Sequence, residues 1–397
     1  MELALDDGVD VIISSFREGM HLAPVIHSLR QDFGQNVRVI TFPAIEQDLD
    51  RMINNLDLSS DIQWRVFGTS SQPSLILGEI HLLLGELWSQ TRPSWFLSFG
   101  HDPITFSSIS SAFQSNVPTA HIFDANKSHQ NNFSYSHDSQ IRKSINAMAS
   151  IHFTPNIQIR NKLIVEGINE RNVYTVGSTI VDSCRLLMNS VFFNDHEGHL
   201  FLHRDEHKIK SLEPRRTILI ELTEVSSQSG VDFDFISNII RDFSSFSFII
   251  IESEQDQEIA NKLRVISNQI VFLQNLDLMQ KSFLLSRVCC AISASIETLE
   301  QGAAFGAKGI LLHSETERSD LVCSGSIRLL EAYQAGHFEQ FRAELNLMID
   351  NRRGEKNSHL QRQEESASAR RIAQALTSRT VESVEILKTS LLRPQAQ

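Results

Sequence analysis

A chain of 397 residues, 41% hydrophobic and 21% charged, is long enough for two domains with buried cores and is ordinary for a soluble globular protein. Its net charge of -12 argues against a nucleic-acid surface, which needs a concentrated basic face, but leaves room for one nucleotide held by a few local donors. Apolar runs such as 246–251 and 289–294 are too short to span a bilayer, so no membrane partner is expected. The N-terminus lacks the basic, apolar, small-residue order of a signal peptide. Cys184, Cys289, Cys290 and Cys323 have neither CxxC spacing nor a disulfide rhythm, so reduced thiols and a cytoplasmic location are expected.

In chain order, the first strand is expected at residues 9–14, before a helix carrying Leu22, Val25, Ile26 and Leu29. Strands at 37–41, 94–98, 118–123 and 173–176 continue an alternation with helical stretches, the pattern of βαβ units and a parallel sheet. A second series is expected at 217–222, 246–252, 270–273, 289–293 and 309–312. The division is therefore residues 1–190, a linker or insertion at 191–216, a second domain at 217–375, and a closing helix at 376–397 that packs back on the first domain. The fold class is α/β, with two Rossmann-like domains facing a cleft and ligands at the carboxyl ends of the strands.

The 191–216 stretch carries His196, His199, His203 and His207 at spacings of three or four. On a helix these could share one face and bind a metal, but solvated polar surface is the stronger reading, and no metal site is assigned. Cys289 and Cys290 lie in a strand-like run and read as core rather than nucleophile.

The segments PSWFLSFGHDPIT, PTAHIFDANKS, SYSHDSQIRKS, IHFTPN and TVGSTIVDS follow one another in an order and spacing that resemble the UDP-N-acetylglucosamine 2-epimerase family, whose fold is of the GT-B type. The likeness runs from about Val9 to Leu329 and includes SSFREGMHLAPVI near the start and SASIETLEQGAAFGAKGILLHSETERSDLVCSGSIRLL in the second half. It implies UDP or a UDP-sugar as ligand, a homodimer, and no cofactor. Implied nucleotide-binding positions are Arg17, Glu18, Ser295, Glu300, Gln301 and Arg318. The family's phosphate-facing Arg falls on Phe16, with Arg17 one place later, and its Gly-Gly pair has become Ile296–Glu297, which crowds a close backbone approach.

Family members that do not hydrolyse their product remove the proton at C2, expel UDP and re-add it after protonation on the other face. That chemistry needs positioned acids and bases, and the resemblance implies three carboxylates and a histidine. Here His101, Phe123 and His137 occupy the carboxylate positions, and the histidine position falls on or near Thr223. Asp102, Asp124 and Asp138 each lie one residue beyond an expected acid; in a strand that step would reverse the side chain, whereas a loop could restore its direction. His121 keeps its place, and His101, His121 and His137 are expected to converge beside Asp102 and Asp138. The leading expectation is a diverged family member that binds a nucleotide or nucleotide sugar, with its replaced acids arguing against standard 2-epimerase activity. An enzyme of altered chemistry using the His/Asp cluster and a non-catalytic scaffold are the alternatives.

Overall fold

The computed structural model describes residues 5–32, 34–42, 53, 56–64, 73–125, 137–189, 209, 212–213, 216–222, 233–252, 257–266, 270–274, 276, 278–313, 315–330, 338–354 and 368–391. Two compact units divide the chain. Unit 1 comprises Met1–Ser183 and Ser366–Gln397, and unit 2 comprises Cys184–Glu365. His196, His199, His203, His207 and Thr223 lie outside the described residues.

Unit 1 alternates β1 (Leu5–Ile13), α1 (Phe16–Gln31), β2 (Val37–Thr41), β3 (Ile62–Gln63), α2 (Pro73–Gln90), β4 (Arg92–Phe99), α3 (Pro103–Gln114), β5 (Thr119–Ile122), α4 (His137–Met148), β6 (Ile151–Thr154), α5 (Ile157–Val165) and β7 (Val173–Thr175), after which α6 (Thr179–Asn189) runs through the boundary at Ser183. Its strands pair in parallel in the order β3-β2-β1-β4-β5-β6-β7, with Val9 opposite both Val37 and Trp95. Strands covered on both faces need apolar residues at successive positions, hence runs such as Val11–Ile12–Ile13, all buried. Asp10 is a charge buried within this sheet. It accepts two hydrogen bonds from Arg38, at 2.9 and 2.7 Å, and one from Trp88 Nε1 at 2.8 Å, which replaces the water it gave up.

Unit 2 repeats the plan with β8 (Thr217–Glu221), α7 (Phe233–Asp242), β9 (Ser247–Glu252), α8 (Gln257–Leu263), β10 (Ile270–Gln274), α9 (Leu278–Ser286), β11 (Cys290–Ser293), α10 (Ile296–Ala304), β12 (Lys308–Leu311), α11 (Ser319–Cys323), β13 (Ile327–Leu329) and α12 (Phe338–Gly354). The parallel order is β10-β9-β8-β11-β12-β13. Its core gathers Ile218, Ile220, Phe248, Ile250, Ile292 and Ile310 from the strands with Ile236, Ile239, Phe341 and Leu345 from helices. The last described helix, α13 (Ser368–Leu391), belongs to unit 1: Ala369 N donates to Asp182 Oδ2 at 2.9 Å, and Arg371 donates to the Val176 carbonyl at 3.1 Å.

The two Rossmann-like domains expected from sequence are present, and β2 and the start of β8 fall at their expected residues. Strands β3, β6 and β13 are additional. β3 has two residues, β13 carries Arg328 at its centre, and His152 interrupts the apolar run of β6, so none has the signature of a buried strand. All four cysteines are thiols, with Cys289 and Cys290 buried in the unit 2 core. No described helix is long and apolar enough to cross a membrane.

In each sheet the order reverses once, between β1 and β4 in unit 1 and between β8 and β11 in unit 2. Crossovers leave such a pair toward opposite faces, so a crevice opens at the carboxyl ends of those two strands. Both candidate sites lie there.

Candidate functional site

In unit 1, β1 runs out into Ser14 and Ser15, and the sequence Ser15-Phe16-Arg17-Glu18 starts α1 with a capping box. Ser15 Oγ accepts from Glu18 N at 3.2 Å, and Glu18 Oε2 accepts from Ser14 N (2.5 Å), Ser14 Oγ (2.8 Å) and Ser15 N (3.2 Å). After β4, Asp102 plays the same part for α3. Its Oδ1 accepts from Ile104 N (2.8 Å) and Thr105 N (2.9 Å), and Pro103 occupies the first turn, where its missing N–H costs nothing. Thr105 Oγ1 stands 3.0 Å from Asp102 Oδ2 and 3.3 Å from Glu18 Oε1, linking the two carboxyl groups. Burial, then the neighbouring Asp102 carboxylate, pushes the Glu18 pKa up to about 8 against the pull of its hydrogen bonds from Ser14.

Arg17 reaches across to the end of β5, where its two terminal nitrogens meet Asp124 Oδ1 and Oδ2, each at 2.6 Å. This is the bidentate fork that guanidinium and carboxylate form best, with Asp124 buried beneath it. Phe123 turns elsewhere, into an apolar cluster with Ile159, Leu163 and Val173. Gly100, at φ +81°, carries the chain between the acids; a side chain there would stand 3.9 Å from Asp124 Oδ2 and 4.0 Å from Asp102 Oδ2.

His101 and His121 are buried near this point. The His101 ring is 6.2 Å from that of Phe123. His121 Nδ1 lies 3.0 Å from Ser98 Oγ, and its ring meets His152 edge-on at 6.3 Å. Burial, followed by the proximity of His152 and His101, pushes His121 well below the usual histidine range, and Asp124 offsets this only in part. Sequence reasoning missed His152, the register partner of His121 on β6; burial alone pushes it down to about 4, and neither ring nitrogen has a hydrogen-bond partner among the described residues. These two imidazoles are therefore neutral near pH 7. Asp138 is exposed in the first turn of α4, and His137 opens that helix, its side chain outside the description. The structure thus gathers Arg17, Glu18, His101, Asp102, His121 and Asp124 at the strand ends of unit 1.

In unit 2, Ser295 caps α10, its Oγ accepting from Thr298 N at 3.5 Å. Glu300 and Gln301 follow on the same helix, both buried. Glu300 pairs with Arg318, the two side chains being 2% and 4% exposed. Arg318 also grips Asp320 through Nε (3.0 Å) and Nη2 (2.7 Å). Burial opposes the arginine's charge, but Glu300 and Asp320 outweigh it and hold its pKa above the usual value. Gln301 Oε1 accepts from Ser282 Oγ of α9 at 3.4 Å, so this side chain joins two helices in the interior.

Three further residues complete this strand end. Glu221 and Ser293 are the last residues of β8 and β11, and Lys281 projects from α9. Lys281 Nζ donates to Glu221 Oε1 (2.6 Å) and Thr298 Oγ1 (3.1 Å); Ser293 Oγ donates to Glu221 Oε2 (2.6 Å) and accepts from Ser295 N (2.8 Å). Burial would raise the Glu221 pKa, but the lysine and the hydroxyl donors reverse that and lower it. Separations of 60 and 72 residues hide these partners from sequence reading.

Comparison with known proteins agrees with this architecture. Residues 33–377 match the model of the family described as UDP-N-acetylglucosamine 2-epimerase. The enzyme of that name from Neisseria meningitidis serogroup A is 19% identical over 331 residues, spanning 82% of this chain and 87% of the relative. The crystal structure of the Neisseria meningitidis enzyme bound to UDP-GlcNAc superposes with a TM-score of 0.75 at 18% identity, covering 95% of this chain and all of that one. The Methanocaldococcus jannaschii enzyme in complex with UDP-GlcNAc and UDP gives 0.70 at 16%, covering 94% and 99%.

Proposed function

The chain belongs to the UDP-N-acetylglucosamine 2-epimerase family, and from that membership we propose that it binds UDP or a UDP-sugar without performing the family's epimerisation at C2. The observation that carries this reading is the Arg17–Asp124 pair. A carboxylate held by both arms of a guanidinium is a poor proton acceptor, because taking a proton would break two charge-assisted hydrogen bonds. Phe123, at the family's acid position, packs into the apolar cluster of α5 and β7. Asp102 and Glu18 are engaged as helix caps.

Nucleotide binding draws support from unit 2, where Ser295 caps the helix that follows the central strand β11 and the Glu300–Arg318 pair keeps both motif residues in place. The altered-chemistry alternative loses support from the packing of unit 1, since His121 is buried and its ring packs edge-on against His152. Two measurements test the proposal. Calorimetric titration with UDP is expected to give saturable heat; no heat and no thermal stabilisation would remove the nucleotide reading. NMR of UDP-N-acetylglucosamine in deuterated water at high protein concentration is expected to show no exchange at C2, and exchange there would restore the epimerase.

A further inference from the structure

Resting on the nucleotide reading, we propose that Lys281 is the cation that meets the phosphates of the bound nucleotide. The strand order of unit 2 reverses between β8 and β11, and Glu221 and Ser293 end those two strands. Lys281 enters this crevice from α9, a different element from the Ser295 turn. Its ammonium is placed by two acceptors, Glu221 Oε1 at 2.6 Å and Thr298 Oγ1 at 3.1 Å, the latter in the first turn of α10. An ammonium has three N–H donors, so these two bonds leave one for a ligand. The Lys281 side chain is 20% exposed while Glu221 is 3% exposed, so the lysine forms the solvent side of the pair and the carboxylate its buried anchor.

The charge also answers a local deficit. Where the resemblance implies two glycines approaching phosphate through their backbone, this chain has Ile296, which is buried, and Glu297, which adds a carboxylate to the first turn of α10. Backbone donors alone then face crowding. An ammonium held at the same turn reaches an anionic ligand without that close backbone approach. Glu221 acts through Lys281 as a positioning residue, and Ser293 ties that carboxylate to the Ser295 backbone, so lysine, strand ends and turn move together.

The experiment compares UDP with uridine, which lacks the phosphates, on the full chain. The variants are Lys281→Gln, which keeps hydrogen-bonding reach without charge, and Lys281→Met/Glu221→Gln, which removes both charges so that no buried carboxylate is left without its cation; thermal melts of each confirm folding. The expected result is that UDP affinity falls by about tenfold or more, the size of one charge-assisted hydrogen bond, while uridine binding stays unchanged. UDP affinity within about twofold of wild type in whichever variant folds would overturn the role of Lys281 and leave the nucleotide reading intact; that threshold lies well inside one such bond. Equal losses for UDP and uridine would likewise overturn it, marking a structural ion pair. Wild-type protein that binds neither ligand would remove the nucleotide reading and this inference together.

Discussion

Glu18 in unit 1 and Glu221 in unit 2 are both buried where a central strand gives out, yet burial ends there with opposite results. Each carboxyl group loses its hydration, which favours the neutral form. At Glu221 a lysine stands 2.6 Å away, and its attraction exceeds the cost of burial, so the group stays charged. At Glu18 the neighbour that acts is Asp102, another carboxyl group, and its repulsion adds to burial. His121 and His152 extend the contrast, since burial makes them neutral too. The strand ends of unit 1 hold charge that is neutralised or internally paired, whereas those of unit 2 keep a cation with an exposed side. A charged ligand has more to recognise in unit 2.

The largest test of this contrast is Arg318→Leu. It strips a fully buried carboxylate, Glu300, of its counter-ion, a change that typically costs roughly 3–5 kcal/mol. Urea denaturation should show that loss, and a change below about 1 kcal/mol, the scale of an exposed pair, would mean that the unit 2 charges are solvated after all.

The next effects are in pH dependence, and the two kinds of group give opposite slopes. Glu18 binds its proton more tightly folded (about 8) than unfolded (4.5), so its contribution to stability is complete below 4.5 and is lost as pH rises toward 8. Glu18→Gln should flatten that alkaline loss in a series of denaturation curves. His152 binds its proton less tightly folded (about 4) than unfolded (6.5), so its contribution is present above 6.5 and is lost as pH falls through 4. His152→Phe should flatten the acid limb. Unchanged limbs in both variants would show that unit 1 is not the neutralised region described.

How far these features could be read from sequence depends on the distance over which each is decided. The capping of α3 is local: Asp102-Pro103 before a helical stretch is a start signal, and it explains why an aspartate sits there without invoking catalysis. Most of the parallel strands were readable for the same reason, being short runs rich in apolar residues, whereas β3, β6 and β13 were not. The Arg17–Asp124 pair joins residues 107 apart, and only their matching one-place departures from the family frame hinted that they belong together. His152 gave no such hint. Its importance comes from register with His121, and register is set by the sheet. Lys281 and Glu221 sit in elements whose neighbourhood depends on strand order, which periodicity does not encode.

The smallest effects separate two uses of glycine. Gly100 has φ +81° beside Asp124 and Asp102, and a methyl group there would have room, its nearest neighbours being 3.9 and 4.0 Å away. Gly100→Ala should therefore cost about 1–2 kcal/mol through backbone conformation alone, and Gly100→Asn, which tolerates positive φ, should recover part of it. Gly309 on β12 is the converse. Its backbone is ordinary, but a methyl group would come within 3.2 Å of Ile327 Cγ1 and of Leu299 Cδ2, so alanine should cost roughly 1–3 kcal/mol through packing, and asparagine more. If asparagine rescues neither position or both, the turn at Gly100 is not held by conformation. The two acids flanking it would then be placed by their partners, Arg17 and the α3 amides, and Arg17→Leu would disturb the unit 1 site more than any change at Gly100.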